Sequence, residues 1–97
     1  MHIPIEYRIS VRTRTSFTNG TPEYLVLFTP GKHDSERATT CRVTGAKPSR
    51  SQFAVLCELL ENHKAAALVF AGLDHAVAFF RWMEIGRVEG DLAGPRA

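Results

Sequence analysis

The chain opens on alternation. Ile3, Ile5, Tyr7, Ile9 and Val11 alternate with Pro4, Glu6, Arg8, Ser10 and Arg12, and the pattern runs on through Thr15 and Phe17. A period of two puts successive side chains on opposite faces, so this segment predicts one long, half-buried strand. Asn19-Gly20 is a strong hairpin signal, and Pro22 lengthens the loop beyond two residues. Residues 23–29 (EYLVLFT) are rich in β-branched and aromatic side chains and are expected to pair antiparallel with the first strand. Pro30-Gly31 ends that strand, and residues 32–36 read as a charged loop. Residues 37–44 (RATTCRVT) alternate weakly and predict an edge strand.

The period then changes to that of a helix. In residues 49–64 (SRSQFAVLCELLENHK), Phe53, Leu56, Cys57, Leu59 and Leu60 share one side, with Val55 at its edge. Ser51, Glu58, Glu61 and Asn62 lie opposite. Pro48 disfavours helix before it, and Ser49 with Gln52 three residues on makes a capping box. His63 and Lys64 suit the negative pole of the helix dipole, and with no glycine to stop it the helix end can drift into residues 65–67. Residues 67–71 (ALVFA) predict a short buried strand; the competing reading continues the helix into a helical hairpin broken at Gly72. A second helix is expected from about Leu73 to Ile85. Its stripe is Leu73, Ala76, Val77, Phe80 and Met83, with Phe79 flanking.

The element order β-β-β-α-β-α predicts an α+β two-layer sandwich. A mostly antiparallel four-stranded sheet carries both helices on one face. If the fourth strand returns parallel beside the first, its crossover through the helix is right-handed. Residues 1–85 form a single domain, and the glycine-rich residues 86–97 a loosely ordered tail.

Composition narrows the function. A chain of 97 residues with 44% hydrophobic and 23% charged residues is an ordinary globular domain. The net charge of +2 is mild but unevenly spread: residues 1–50 hold eight Lys or Arg against four Asp or Glu, and residues 51–97 four against six. Any electrostatic attraction for an acidic partner therefore belongs to the first half. Cys41 and Cys57 show no CxxC spacing, and no apolar leader follows Met1, so reduced thiols in a cytoplasmic protein are expected. The most apolar run, residues 65–83, carries Asp74, His75 and Arg81 and does not read as a membrane span. Asn19-Gly20-Thr21 matches a glycosylation sequon but is better explained as a turn.

Two surfaces are candidate contacts. Arg8, Arg12 and Arg14 share a parity and project from the face opposite Ile9 and Val11, with Arg37, Arg42, Lys47 and Arg50 nearby in sequence. Spaced guanidiniums grip carboxylates or phosphates, although solvating the sheet is the default role of such a face. No aromatic side chain stands between the arginines to stack a base, since Tyr7 and Phe17 alternate to the other side. The second candidate is Trp82, beside Phe79 and His75 on the flank of the last helix; half-exposed Trp is enriched at interfaces, and packing under the C-terminal tail or against the first helix is the alternative.

Catalytic and metal chemistry find little support. Gly31-Lys32-His33-Asp34-Ser35 gathers tempting residues, but neighbours on one loop rarely converge, and the upstream glycine and following Ser or Thr of a phosphate loop are lacking. His2, His33, His63, His75 and the two cysteines have neither HxxxH nor CxxC spacing. Glu58 and Glu61 share an outward helix face and read as solvating. The expectation is a non-catalytic macromolecule-binding protein without cofactor or metal, its contacts Arg8, Arg12, Arg14, Arg42, Phe79 and Trp82. Small inhibitors and adaptors carried by phages and mobile elements, which act by occupying a partner protein's surface, have this profile. The alternatives are nucleic-acid binding through the arginine-lined strand and a small enzyme or ligand-binding domain. An edge strand near Arg37 also leaves a homodimer open.

Overall fold

A computed structural model describes residues 3–4, 6–31, 37–86 and 89–90. Strands β1 (Tyr7–Thr15) and β2 (Pro22–Pro30) form an antiparallel hairpin in register from Tyr7↔Pro30 to Thr15↔Pro22. The alternation of the opening segment thus becomes strand, but it stops at Thr15, and Phe17 lies in the connecting loop. That loop is longer than two residues, as Pro22 implies. The Ser16 amide donates to the Thr21 carbonyl at 2.8 Å and the Gly20 amide to the Ser16 carbonyl at 2.9 Å. Gly20 has φ +72°, a conformation in which a side chain would be strained.

Strand β3 (Thr39–Arg42), helix α1 (Arg50–Glu61) and strand β4 (Ala66–Phe70) follow as a β-α-β unit, then helix α2 (Leu73–Met83). The sheet order is β3-β4-β2-β1-β5, where β5 is Glu89–Gly90, a two-residue strand lying parallel to β1 at Ser10 and Val11. The α+β architecture, the element order and the mostly antiparallel pairing of the four main strands are as expected. The sheet is mixed: β1–β2 and β2–β4 are antiparallel, whereas β3–β4 is parallel. The fourth strand lies between β2 and β3, not beside β1. Both follow from chemistry. A helix-length crossover permits parallel pairing of β3 with β4, and β4, flanked by strands on both edges and buried at every position, has the continuous apolar run of a central strand. Of the expected loose tail, Gly86, Glu89 and Gly90 are described, and the rest lies outside the described residues.

Both helices pack on one face of this sheet. Their Leu56, Leu60, Ala76, Phe79, Phe80 and Met83 join Tyr7, Ile9, Val11, Val26, Phe28, Leu68 and Phe70 in one buried cluster. Helix α1 starts as the sequence predicts: Ser49 Oγ accepts from the Gln52 amide at 3.2 Å, and Gln52 Oε1 accepts from the Ser49 amide at 2.9 Å. It ends sooner than expected. His63 adopts φ 55°, while the His63 amide donates to the Leu60 carbonyl and the Lys64 amide to the Leu59 carbonyl. A left-handed residue with these two bonds closes a helix without glycine. His63 and Lys64 therefore belong to the closing turn, not to the helix. The Tyr7 hydroxyl donates to the Lys64 carbonyl at 2.7 Å, fastening this turn to the start of β1.

In α2 the apolar stripe is rotated from the expected one. Phe79 is fully buried, 6.4 Å from the Phe28 ring and 5.3 Å from the Phe70 ring, whereas Leu73 is exposed. The helix turns its largest inward ring toward the two aromatic side chains of β2 and β4.

Candidate interaction surface

The register sorts the strand residues into two faces. Tyr7, Ile9 and Val11 pair with Pro30, Phe28 and Val26 beneath the helices, so Arg8, Ser10, Arg12 and Arg14 look the other way. On this outer face they neighbour Thr29, Leu27, Leu25 and Glu23 of β2, and beyond those Ala67 and Val69 of β4 and Thr40 and Arg42 of β3. One cross-strand row therefore reads Arg12, Leu25, Val69, Arg42. With strands about 4.8 Å apart, its two arginines are rooted about 14 Å from each other. Leu25 and Leu27 are half-buried and Val69 and Ala67 are buried. The face is therefore not a uniformly solvated one; it has an apolar middle bordered by guanidiniums.

Glu23 fixes two of those guanidiniums. Its side chain is only 6% exposed, and it accepts from Arg14 Nε at 3.0 Å and from Arg42 Nη1. Arg14 and Arg42 remain about half in solvent, at 49% and 62%. One carboxylate on β2 thus ties β1 to β3 across the end of β4. The Arg42 hydrogen bond, and with it Arg14, holds the Glu23 carboxyl below its ordinary value, against the opposing effect of burial. Arg42 is fixed a second way, because Gln52 Nε2 of α1 donates to its backbone carbonyl at 2.9 Å. That bond also occupies an acceptor on the sheet edge, and at four residues β3 is a short edge. Arg8 and Arg12 are exposed on the same face. Among the described side chains four guanidiniums stand against one carboxylate, which leaves the face positive.

The α2 flank is a separate place. Trp82 is 40% exposed; its ring lies 5.3 Å from Phe53 of α1 and 6.1 Å from Phe79, and Lys47 Nζ sits 5.5 Å above it. Trp82 packs against the first helix and keeps one side in solvent. Phe79, named with it as a contact, is core and has no surface to offer. The helices cover the inner face of the sheet, so Trp82 and the arginines stand on opposite sides of it. One flat interface does not span both.

Sequence reasoning placed Arg8, Arg12, Arg14 and Arg42 on the surface but missed Glu23. The available signal was parity: Glu23 is an odd-numbered β2 residue, like Leu25 and Leu27, and only the hairpin register puts those opposite the arginines. It also missed Phe17, which the alternation assigned to the core side and which lies wholly in solvent at the hairpin tip.

The other candidates gain no geometry. Residues 32–36, including His33, Asp34 and Ser35, lie outside the described residues, as does His2. Among the described residues no group of three or more His, Cys, Asp or Glu comes together to hold a metal ion. Burial first, and Glu61 after it, pushes the Cys57 thiol up from its ordinary value, the opposite of what a nucleophilic thiol needs. An apolar cleft between α1 and β3 is lined by Thr39, Cys41, Val55, Leu56 and Leu59 among others, with no histidine or carboxylate. Among the described residues His75 Nδ1 is buried without a hydrogen-bond partner. Among the described residues no helix is long and apolar enough to cross a membrane.

Comparison with protein-family models, with curated proteins and with solved structures gives no match.

Proposed function

We propose that this protein is a small, non-catalytic protein-binding module of the inhibitor or adaptor kind, acting in the cytoplasm by occupying a partner protein's surface. Its contact is the outer sheet face, and the partner presents carboxylates around an apolar patch. The observation that carries this reading is the Glu23 clasp. It ties Arg14 of β1 to Arg42 of β3, and Leu25 and Leu27 of β2 lie between those two strands as the apolar centre. Interfaces with arginine around an apolar middle are typical of protein recognition.

Nucleic acid fits less well. Glu23 already neutralises part of the charge, and the outer face places Leu and Val, not an aromatic ring, between the arginines. An enzymatic reading is supported less: among the described side chains the carboxylate on this face is Glu23, which two arginines already hold, so it is not free to serve the hydroxyls of Ser10, Thr29 and Thr40 as a general base.

The test is capture from the native host at two salt concentrations, followed by affinity measurement with the purified partner. Arg8→Ser with Arg12→Ser is expected to weaken binding by on the order of tenfold or more, and moderate salt to weaken it less steeply than a phosphate-gripping surface requires. A double variant that binds its partner as tightly as the parent chain removes the outer face from consideration.

A further inference from the structure

We propose that Phe17, at the tip of the β1–β2 hairpin, is an anchor that inserts into an uncharged apolar socket on a protein partner. This contact lies outside the outer-face reading and does not depend on which of its arginines matter.

Three observations converge on it. Phe17 is 108% exposed, as open as in an extended peptide, while the other large exposed apolar side chains among the described residues, Val55, Leu73 and Trp82, stand at 48% or below. A ring that touches nothing in its own fold contributes nothing to folding, and its burial is left for association.

Next, the loop around it is built to hold still. The amides of Ser16, Thr18, Gly20 and Thr21 all donate within the loop, to the Thr21 carbonyl, Ser16 Oγ, the Ser16 carbonyl and Asn19 Oδ1. Asn19 Oδ1 also accepts from the Thr21 hydroxyl at 2.6 Å. These bonds satisfy the turn from within, so little order remains to be imposed when Phe17 docks. Preorganised aromatic anchors bind well for that reason.

Finally, the tip carries no charge. From Thr15 to Pro22 the chain reads TSFTNGTP. A wedge for nucleic acid or an anchor for an anionic membrane needs Lys or Arg beside the apolar residue. Here the loop residues beside the ring carry hydroxyls and one amide, which match the polar rim of an apolar protein pocket. The tip also lies beyond the end of β4, since the last β2–β4 pair is Tyr24↔Phe70 and both Thr15 and Pro22 are exposed. Phe17 therefore reaches out from the body of the sheet.

The experiment uses the full chain with the photo-reactive amino acid p-benzoylphenylalanine at position 17, and separately at position 12, irradiated in extract of the native host. The expected result is a protein adduct at position 17 whose labelled peptide maps to an apolar pocket. Phe17→Ser is expected to weaken binding to that purified protein by roughly tenfold to a hundredfold, Phe17→Leu to restore most of it, and thermal unfolding to be unchanged. No adduct, an adduct to nucleic acid or lipid, unaltered affinity of Phe17→Ser, or a lowered melting temperature each overturns the proposal. Adducts at position 12 without position 17 defeat this inference alone. Adducts at position 17 without position 12 leave it standing.

Discussion

Arg14 and Glu23 are cross-strand partners in the β1–β2 hairpin, joined at 3.0 Å, and the same carboxylate receives Arg42 from two strands further on. The pair is therefore half of a clasp, and its protonation is expected to register in stability. In the folded protein the Glu23 carboxyl titrates below its ordinary value of 4.5, chiefly through Arg42. The unfolded chain then binds the proton more readily. The clasp's contribution is fully present above about pH 4.5 and is lost as pH falls through the lower folded value. Glu23→Gln is expected to melt below the parent at neutral pH, with the gap narrowing as the solution is acidified. A constant gap between pH 7 and pH 3 in thermal melts contradicts the assignment.

Arg12 and Arg14 share a strand face but not a role. Arg14 satisfies a buried carboxylate; Arg12 is exposed opposite Leu25. Arg14→Ser strands Glu23 with Arg42 alone, so destabilisation is expected before any binding is measured. Arg12→Ser is expected to stay within about 0.5 kcal/mol of the parent in denaturant unfolding, as surface substitutions usually do. If binding is lost in Arg12→Ser with stability intact, the loss belongs to the contact. Equal destabilisation by the two variants shows that both arginines are structural.

Trp82 and the outer face stand on opposite sides of the sheet, and this separates the two contact candidates by spectroscopy. The Trp82 ring is half-covered by Phe53, Phe79 and Lys47, so its emission is expected between that of a buried and a free indole. A partner seated on the arginines leaves that emission unmoved. A blue shift on binding moves the contact to the α2 flank. Phe79→Ala is no test of contact: removing a fully buried ring costs about 3–5 kcal/mol, and any loss of binding would follow from unfolding.

These contrasts also mark what the sequence made legible. Periodicity located every main element, and the Ser49–Gln52 capping box could be read to the residue because capping is local. The position of β4 could not be read that way. Pairing of β4 with β2 and β3 is decided by the whole sheet, and nothing within ALVFA prefers those neighbours over β1. Two locally similar cases came out differently for the same reason. Phe79 and Leu73 both sit on the apolar side of α2, and only the Phe28 and Phe70 rings beneath decide which is buried. Likewise the outward parity of Arg8, Arg12 and Arg14 was legible, while Glu23 came to them only through the hairpin register. The end of α1 was missed because a left-handed His63 performs the stop that glycine usually signals.

Helix α2 ends in the same way as α1, and here the strain can be removed cleanly. Glu84 adopts φ 57° and ψ 41°, with its amide donating to the Arg81 carbonyl and the Ile85 amide to the Phe80 carbonyl. A side chain in this conformation costs roughly 1 kcal/mol, which glycine avoids. Glu84 is exposed, so little else is lost on replacing it. Glu84→Gly is expected to stabilise the protein by about 0.5–1 kcal/mol, even though glycine also loosens the unfolded chain. Ala78→Gly, on the exposed face within the same helix, is expected to destabilise by about 1 kcal/mol. The same substituted residue therefore carries opposite signs six positions apart in one helix and its closing turn. Denaturant unfolding of the two variants side by side measures both. Destabilisation by Glu84→Gly as well would show that the left-handed turn is not how α2 ends in solution.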